Sequence, residues 1–207
     1  MLRRFESYAF DDQATAEQIA DLVSALRQCG EFIPEVRDSI VGVNESDTDV
    51  ALVWEHTYVD PDAYARYMCH PYHICVLDRY LLPESPECIT APRAQLGIGL
   101  MGYEIADGSF RCASGVRRLV ALKAAADVDV GAWETFVATL ERAPALRVSI
   151  VAPNTMGLEW FPNGWTHVWE QAYDDEDAMR AAVARQAALL DAGPVERWID
   201  IWYRLES

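Results

Sequence analysis

The chain has 207 residues, 51% hydrophobic and 24% charged, and its 33 Asp plus Glu against 17 Lys plus Arg leave a net charge of −16. This balance can bury a core, which excludes general disorder. An acidic surface with no basic cluster larger than Arg3-Arg4 or Arg117-Arg118 repels phosphate, so no nucleic acid and no anionic membrane is expected as a partner, and a small molecule or another protein is favoured.

Residues 2–10 read as a strand. Gln13 to Gln28, with Ile19, Leu22, Val23 and Leu26 at helical spacing, predict an amphipathic helix that stops near Gly30. Two strands are expected at about 35–43 and 49–59, joined by the polar turn Asn-Glu-Ser-Asp-Thr. Asp60 is a good N-cap with Pro61 at the first helical position. That helix is interrupted at Pro71, because proline disfavours helical geometry at His70 and removes a donor, and it resumes to about Leu82. Residues 87–92 read as a short closing strand. The connector 93–114 contains Gly97-Ile98-Gly99-Leu100-Met101-Gly102, formally a dinucleotide-binding spacing. Tyr103 to Gly108 turns rather than opening a helix, so no helix N-terminus follows to hold a pyrophosphate, and an extra strand or extended bridge is expected instead.

The remaining chain repeats the order: strand 116–124, helix 130–142, strands 146–152 and 165–173, helix 175–191, strand 195–205. Leu2-Arg3-Arg4-Phe5 reappears as Val116-Arg117-Arg118-Leu119, an offset of 114. Val36 to Val41 with Asn44 reappears as Leu146 to Val151 with Asn154 at offset 110, and Val53-Trp54-Glu55 with Tyr58 reappears as Val168-Trp169-Glu170 with Tyr173 at offset 115. Two homologous units explain this, 1–92 and 115–207, with 93–114 between them. Each unit gives an antiparallel sheet with helices on one face, and the bare faces can cover each other. The expected fold class is therefore α+β, two fused ferredoxin-like repeats packed sheet against sheet.

No apolar run approaches the length that crosses a bilayer, and Glu6 stands where a signal peptide would be apolar, so a cytoplasmic location is expected. Cys29, Cys69, Cys75, Cys88 and Cys112 form an odd set without a Cys-x-x-Cys pair and read as reduced core thiols.

Three of the four histidines, His56, His70 and His73, fall within 18 residues. Tyr67, His70 and His73 are spaced by three and can project from one side of the broken helix toward the sheet. Histidine titrates near neutrality and tyrosine is a polar donor, the equipment for moving a proton and holding an oxyanion. The run Tyr67-Met68-Cys69-His70-Pro71-Tyr72-His73, after the strand Ala51-Leu52-Val53-Trp54 and before Leu77-Asp78-Arg79-Tyr80-Leu81, resembles the His-Pro-x-His segment of the stress-responsive A/B barrel family of dimeric α+β barrels. The resemblance covers the first half and, more weakly, the second. It implies an intrachain barrel in place of the usual homodimer. By analogy with the polyketide-cyclase members of the family it also implies His73 as general base and Tyr67 as its partner in polarising a carbonyl. The same analogy lines the pocket with alternate residues of the first and third strands, here Arg4, Glu6 and Tyr8, then Leu52, Trp54 and His56. Arg4 and Leu52 stand where those cyclases carry histidines, which makes this pocket more polar than one built for an alkyl-chain polyketide.

The second half lacks the marker, with Ala182, Arg185 and Ala188 opposite Tyr67, His70 and His73, and it holds six of the seven tryptophans. Competing structural roles exist for most of these residues. His70 could cap the helix break, Arg4 and Glu6 could pair with each other, Trp54 and Trp169 could be core aromatics, and Asp174-Asp175-Glu176-Asp177 could cap the last helix. Metal ligation by His56, His70, His73 and Glu6 lacks a closed ligand motif, and haem lacks an axial-ligand segment, so neither metal nor cofactor is expected. The leading functional expectation is a cofactor-independent enzyme acting on a small carbonyl or aromatic substrate, as an aldol-type cyclase, lyase or isomerase. In it His73 and Tyr67 are catalytic, and Arg4, Glu6, Tyr8, Trp54, His56 and His70 bind substrate. The alternative is a non-catalytic ligand-binding or stress-protective barrel, with Tyr67 and His73 buried, hydrogen-bonded to each other and with no cavity beside them. Either version leaves room for a homo-oligomer of the fused pseudo-dimer.

Overall fold

Strands β1 (Leu2–Tyr8) and β3 (Leu52–Tyr58) are buried at every position, so both faces of their sheet are covered. The computed structural model describes residues 1–91, 99–105, 114–141, 147–156 and 164–205. Between these strands lie helix α1 (Ala16–Phe32) and β2 (Val36–Val43); α2 (Pro61–Met68), a π-helical turn (His73–Leu77), α3 (Asp78–Leu81) and β4 (Leu100–Glu104) follow. The second repeat consists of β5 (Gly115–Ala124), α4 (Val130–Glu141), β6 (Val148–Pro153), β7 (His167–Tyr173), α5 (Glu176–Ala192) and β8 (Val195–Leu205). The two sheets have the orders β2-β3-β1-β4 and β6-β7-β5-β8, antiparallel throughout. The chain is thus α+β, two fused ferredoxin-like repeats that form an intrachain barrel.

Local chemistry sets most element ends. Thr15 and Gln18 form a capping box, which starts α1 later than hydrophobic spacing suggests. The helix also runs through Gly30 to Phe32, because Cys29 and Ile33 are both buried and the Ile33 N–H donates to the Cys29 carbonyl at 2.9 Å. Asp60 and Asp175 cap α2 and α5 by accepting from the N–H groups of Ala63 and Ala178. The expected strand at 87–92 is not the edge strand of the first sheet. Among the described residues of that stretch the sheet-like pairing is a single bridge, Phe10 with Thr90, and the edge is β4, inside the expected connector. Five successive pairs with β1, from Leu2–Glu104 to Glu6–Leu100, hold it there. Gly97 and Ile98 lie outside the described residues.

The halves share details that follow the repeat. The indole N–H of Trp54 donates to Ser39 Oγ at 2.8 Å, and that of Trp169 to Ser149 Oγ at 2.8 Å. Both tryptophans are fully buried, as core aromatics should be. The two asparagines of the repeat stand at the two seams where the sheets meet. Asn44 bridges to Tyr203 on β8, and Asn154 Oδ1 accepts from the Gly102 N–H of β4 at 3.1 Å. At the first seam the ring of Tyr203 lies directly on Gly42, where any Cβ would overlap it. Gly42→Ala is therefore expected to cost about 1–3 kcal/mol, read as a lower thermal midpoint with the fold otherwise intact. The thiols divide: Cys29 is buried, whereas Cys69 and Cys75 are exposed, contrary to the core reading, because they sit on the outer side of the broken helix.

Between the sheets lies a buried charge cluster. Arg3 and Glu55 come from one sheet and Arg117 and Glu170 from the other, at equivalent repeat positions. Arg3 Nε donates to Glu170 Oε2 at 2.7 Å, Arg3 Nη2 also pairs with Glu55, and Arg117 Nη1 lies 3.0 Å from Glu170 Oε1. Tyr103 donates to Glu170 Oε2 at 2.6 Å. Burial alone would raise the Glu170 carboxyl, but the two guanidiniums and these hydrogen bonds hold it below the ordinary carboxylate range.

Candidate functional site

Antiparallel register puts Arg4 opposite His56 and Glu6 opposite Trp54, so all four point from adjacent strands toward the helices. Tyr8 lies opposite Leu52 at the far end of the same face, two rungs from the histidine. Arg4 and Glu6 do pair, at 2.7 Å, but they do so buried under the helices rather than at the edge of the sheet.

The broken helix lowers Tyr67 and His73 onto this surface. α2 ends at Met68, and the N–H groups of Cys69 and His70 turn back to the carbonyls of Arg66 and Tyr67. After Pro71 the chain re-enters helix and widens into the π-helical turn, where the Asp78 N–H donates to the His73 carbonyl. A π turn adds a residue to the helical register, a device common at functional sites. Here it brings His73 inward, its ring centroid 4.4 Å from that of Tyr67. His70 is left at the break, where its Nδ1 accepts from the Tyr72 N–H at 3.2 Å. The structure thus gives His70 a capping bond and joins Tyr67 and His73 with Arg4, Glu6, Trp54 and His56.

Aromatic rings close the surroundings. The His56 ring lies tilted against Trp54, centroids 3.9 Å apart, and meets the Tyr67 ring edge-on at 5.7 Å, and Tyr58 Oη lies 3.2 Å from His56 Nδ1. The Arg4 guanidinium sits 5.2 Å from the Tyr64 ring centroid and 5.8 Å from that of Tyr67. Asp78 Oδ2 stands 3.7 Å from His73 Nδ1, too far for a hydrogen bond. Reading the sequence missed Tyr58, Tyr64 and Asp78. Tyr58 continues the alternation Leu52, Trp54, His56 and could have been found from it, whereas the π turn that presents Asp78 leaves no mark in helical spacing.

Electrostatics assign protonation. Burial lowers the His73 imidazolium; nearby Arg4 adds to this, Asp78 and Glu6 oppose it, and the result lies below the ordinary histidine value. His56 falls well below it, through burial first and then through Arg4 and His73. Burial pushes the Tyr67 phenol far up, so it keeps its proton. At neutral pH the site holds two neutral imidazoles and a protonated phenol. Among the described residues, Tyr67 Oη, His73 Nδ1 and His56 Nε2 are buried without a hydrogen-bond partner. Buried polar groups left in this state are uncommon.

In the second repeat the equivalent arginine is engaged by its neighbours. Arg118, equivalent to Arg4, donates to Gln171 Oε1 at 2.8 Å and also pairs with Gln186 and Asp200. Gln186 in turn donates to Tyr173 Oη at 3.1 Å. Ala182 and Ala188 replace Tyr67 and His73, so the residues that would do chemistry are gone and the arginine is absorbed internally.

Residues 2–87 match the family model described as the Stress responsive A/B Barrel Domain. The first repeat is similar to the stress-responsive A/B barrel family. No curated protein matches the chain. Among solved structures, an anthrone oxidase-like protein superposes with a TM-score of 0.60 at 14% identity, covering 100% of this chain and 91% of its own. A mutant chlorite dismutase from Candidatus Nitrospira defluvii gives 0.61 at 8% identity, again over 100% and 91%. These likenesses are to the fold, and they span both repeats. Among the described residues no helix is long and apolar enough to cross a membrane, and no group of three or more His, Cys, Asp or Glu is placed to hold a metal ion.

Proposed function

We propose that the first repeat is a cofactor-independent catalyst of proton transfer next to a carbonyl. His73 takes the proton, Tyr67 donates to the oxygen on which charge develops, and the enolate proceeds to aldol-type cyclisation, C–C lysis or isomerisation. The observation that carries this reading is the pairing of a neutral, buried His73 with a protonated Tyr67 whose hydroxyl has no partner among the described residues. A base must be deprotonated and an oxyanion donor protonated at the same pH, and this pair meets both conditions. Arg4, Glu6, Trp54 and His56 form the floor on which a small carbonyl or aromatic substrate would lie. The non-catalytic alternative expects Tyr67 and His73 buried and hydrogen-bonded to each other with no cavity beside them; both are buried, and Tyr67 Oη makes no bond to His73.

The test is deuterium incorporation α to the carbonyl of a panel of enolisable ketones and β-keto acids in heavy water, followed by proton NMR. Exchange above the buffer rate is expected for at least one compound. Tyr67→Phe should lower its kcat by about 10²- to 10³-fold with little change in KM, as for removal of one oxyanion donor. Equal exchange by wild type and Tyr67→Phe would overturn the role of Tyr67.

A further inference from the structure

His56 is held on three sides: by the Trp54 ring, by the edge of Tyr67, and by the Tyr58 hydroxyl at Nδ1. It is fully buried, and a neutral imidazole carries a single N–H. The Arg4 cation, opposite His56 in the register, also acts on the Tyr58 hydroxyl. A positive charge there turns the phenol oxygen toward the guanidinium and its hydrogen toward His56 Nδ1, since that orientation aligns the O–H dipole with the field. Nδ1 is then the acceptor and Nε2 carries the hydrogen. That Nε2 has no partner among the described residues, and neither does the hydroxyl of the adjoining Tyr67. In the second repeat the same two rungs are occupied by Gln171 and Tyr173, whose oxygens accept from Arg118 and Gln186. Gln171 Nε2 is likewise buried without a partner among the described residues, but its oxygen is taken by Arg118, and only the first repeat sets its open donor beside Tyr67 and His73.

We propose that His56 Nε2–H is a second oxyanion donor of the first-repeat site, acting with the Tyr67 hydroxyl on the substrate oxygen, and that Tyr58 is the positioning residue that sets its tautomer. This rests on the proton-transfer reading above. When His73 takes the proton from carbon, the C–H electron pair becomes the enolate double bond and negative charge collects on the oxygen. Tyr67 O–H and His56 Nε2–H share that charge, and neither proton leaves its residue. His56 is suited to this because it stays neutral: an imidazolium would surrender its proton to the enolate, whereas a neutral N–H only stabilises it.

The experiment uses the full chain labelled with nitrogen-15, side-chain histidine NMR, and 4-nitrophenolate as an enolate mimic that is already ionised. Wild type is expected to show His56 in the Nε2–H tautomer between about pH 6 and 8, with its Hε2 moving downfield on binding the mimic. His56→Phe should weaken binding roughly tenfold or more, and His56→Gln, whose amide also donates, should retain most of it. Tyr58→Phe should let the other tautomer appear. His73→Ala should leave binding in place, because an ionised mimic needs no base. A His56 in the Nδ1–H tautomer, an unmoved Hε2 with unchanged affinity in His56→Phe, or no binding of 4-nitrophenolate to the folded protein would each overturn the proposal. If His73-dependent exchange persists alongside any of these, the base reading stands and only the second donor fails.

Discussion

Alanine in place of His73 is expected to lower the rate of proton removal next to a carbonyl by about 10²- to 10⁴-fold, the contribution of a positioned general base. The direction of its pKa sets the pH profile. Burial, helped by Arg4 and opposed by Asp78 and Glu6, places the folded value below 6.5, so the ring is a free base at pH 7. The wild-type rate should be flat above neutrality and fall as pH drops through that lowered value. The variant should lose this acid limb along with the rate. His73 packs against Tyr67, so His73→Asn, closer in volume, serves as a second variant, and thermal unfolding shows whether either has lost the fold. Undiminished exchange in both folded variants would sink the assignment. The histidines also couple folding to acid. His56 and His73 bind protons less readily in the folded chain than in the unfolded one, so stability should fall as pH drops below about 6.5.

The largest effect on stability is expected between the sheets. Glu170→Gln leaves Arg3 and Arg117 buried with Glu55 as the remaining carboxylate of the cluster, and breaking a buried ion pair in this way costs about 3–5 kcal/mol. In a chain of this size that corresponds to a fall on the order of 10 °C in the thermal midpoint. Replacing all four charged residues by Met and Leu should be far milder than the single change, since no charge is then left without a partner. The Glu170 carboxyl is held below its ordinary value of about 4.5, so its stabilisation is present above that pH and lost as pH falls further. The wild type should therefore lose more stability than the fourfold variant between about pH 4.5 and 3. A midpoint unchanged by Glu170→Gln would show that the cluster does not hold the halves together.

The candidate site was legible wherever it depended on strand alternation. Arg4, Glu6, Trp54 and His56 share a face because side chains alternate every two residues, and the antiparallel register adds only which of them are opposite. Helical spacing was a poorer guide across Pro71. Equal intervals of three placed Tyr67, His70 and His73 together, but the break at Cys69 and the π turn from His73 changed the rotation per residue. Tyr67 and His73 converge, while His70 bonds the backbone of Tyr72. The strand beside β1 comes from the connector, where an extra strand or extended bridge was expected, and not from the expected closing strand at 87–92. Residues 87–92 and 99–105 are both short and apolar, and a strand at a sheet edge is chosen by which segment finds an open ladder beside β1.

Composition and charge required a buried core and argued against nucleic acid. The internal repeat then determined the order of elements, the doubling of the sheet, and the loss of Tyr67 and His73 counterparts in the second half, because each of these is a matter of local pattern. Tertiary structure alone decided what the paired arginines do. Arg3 and Arg4 are adjacent in sequence and alike in composition, yet a strand sends successive side chains to opposite faces. One therefore joins Glu55 and Glu170 in the seam between the halves, and the other joins Glu6 beside the histidines. Which face became seam and which became site depended on what packed against the sheet, and that is a property of the folded pair of repeats.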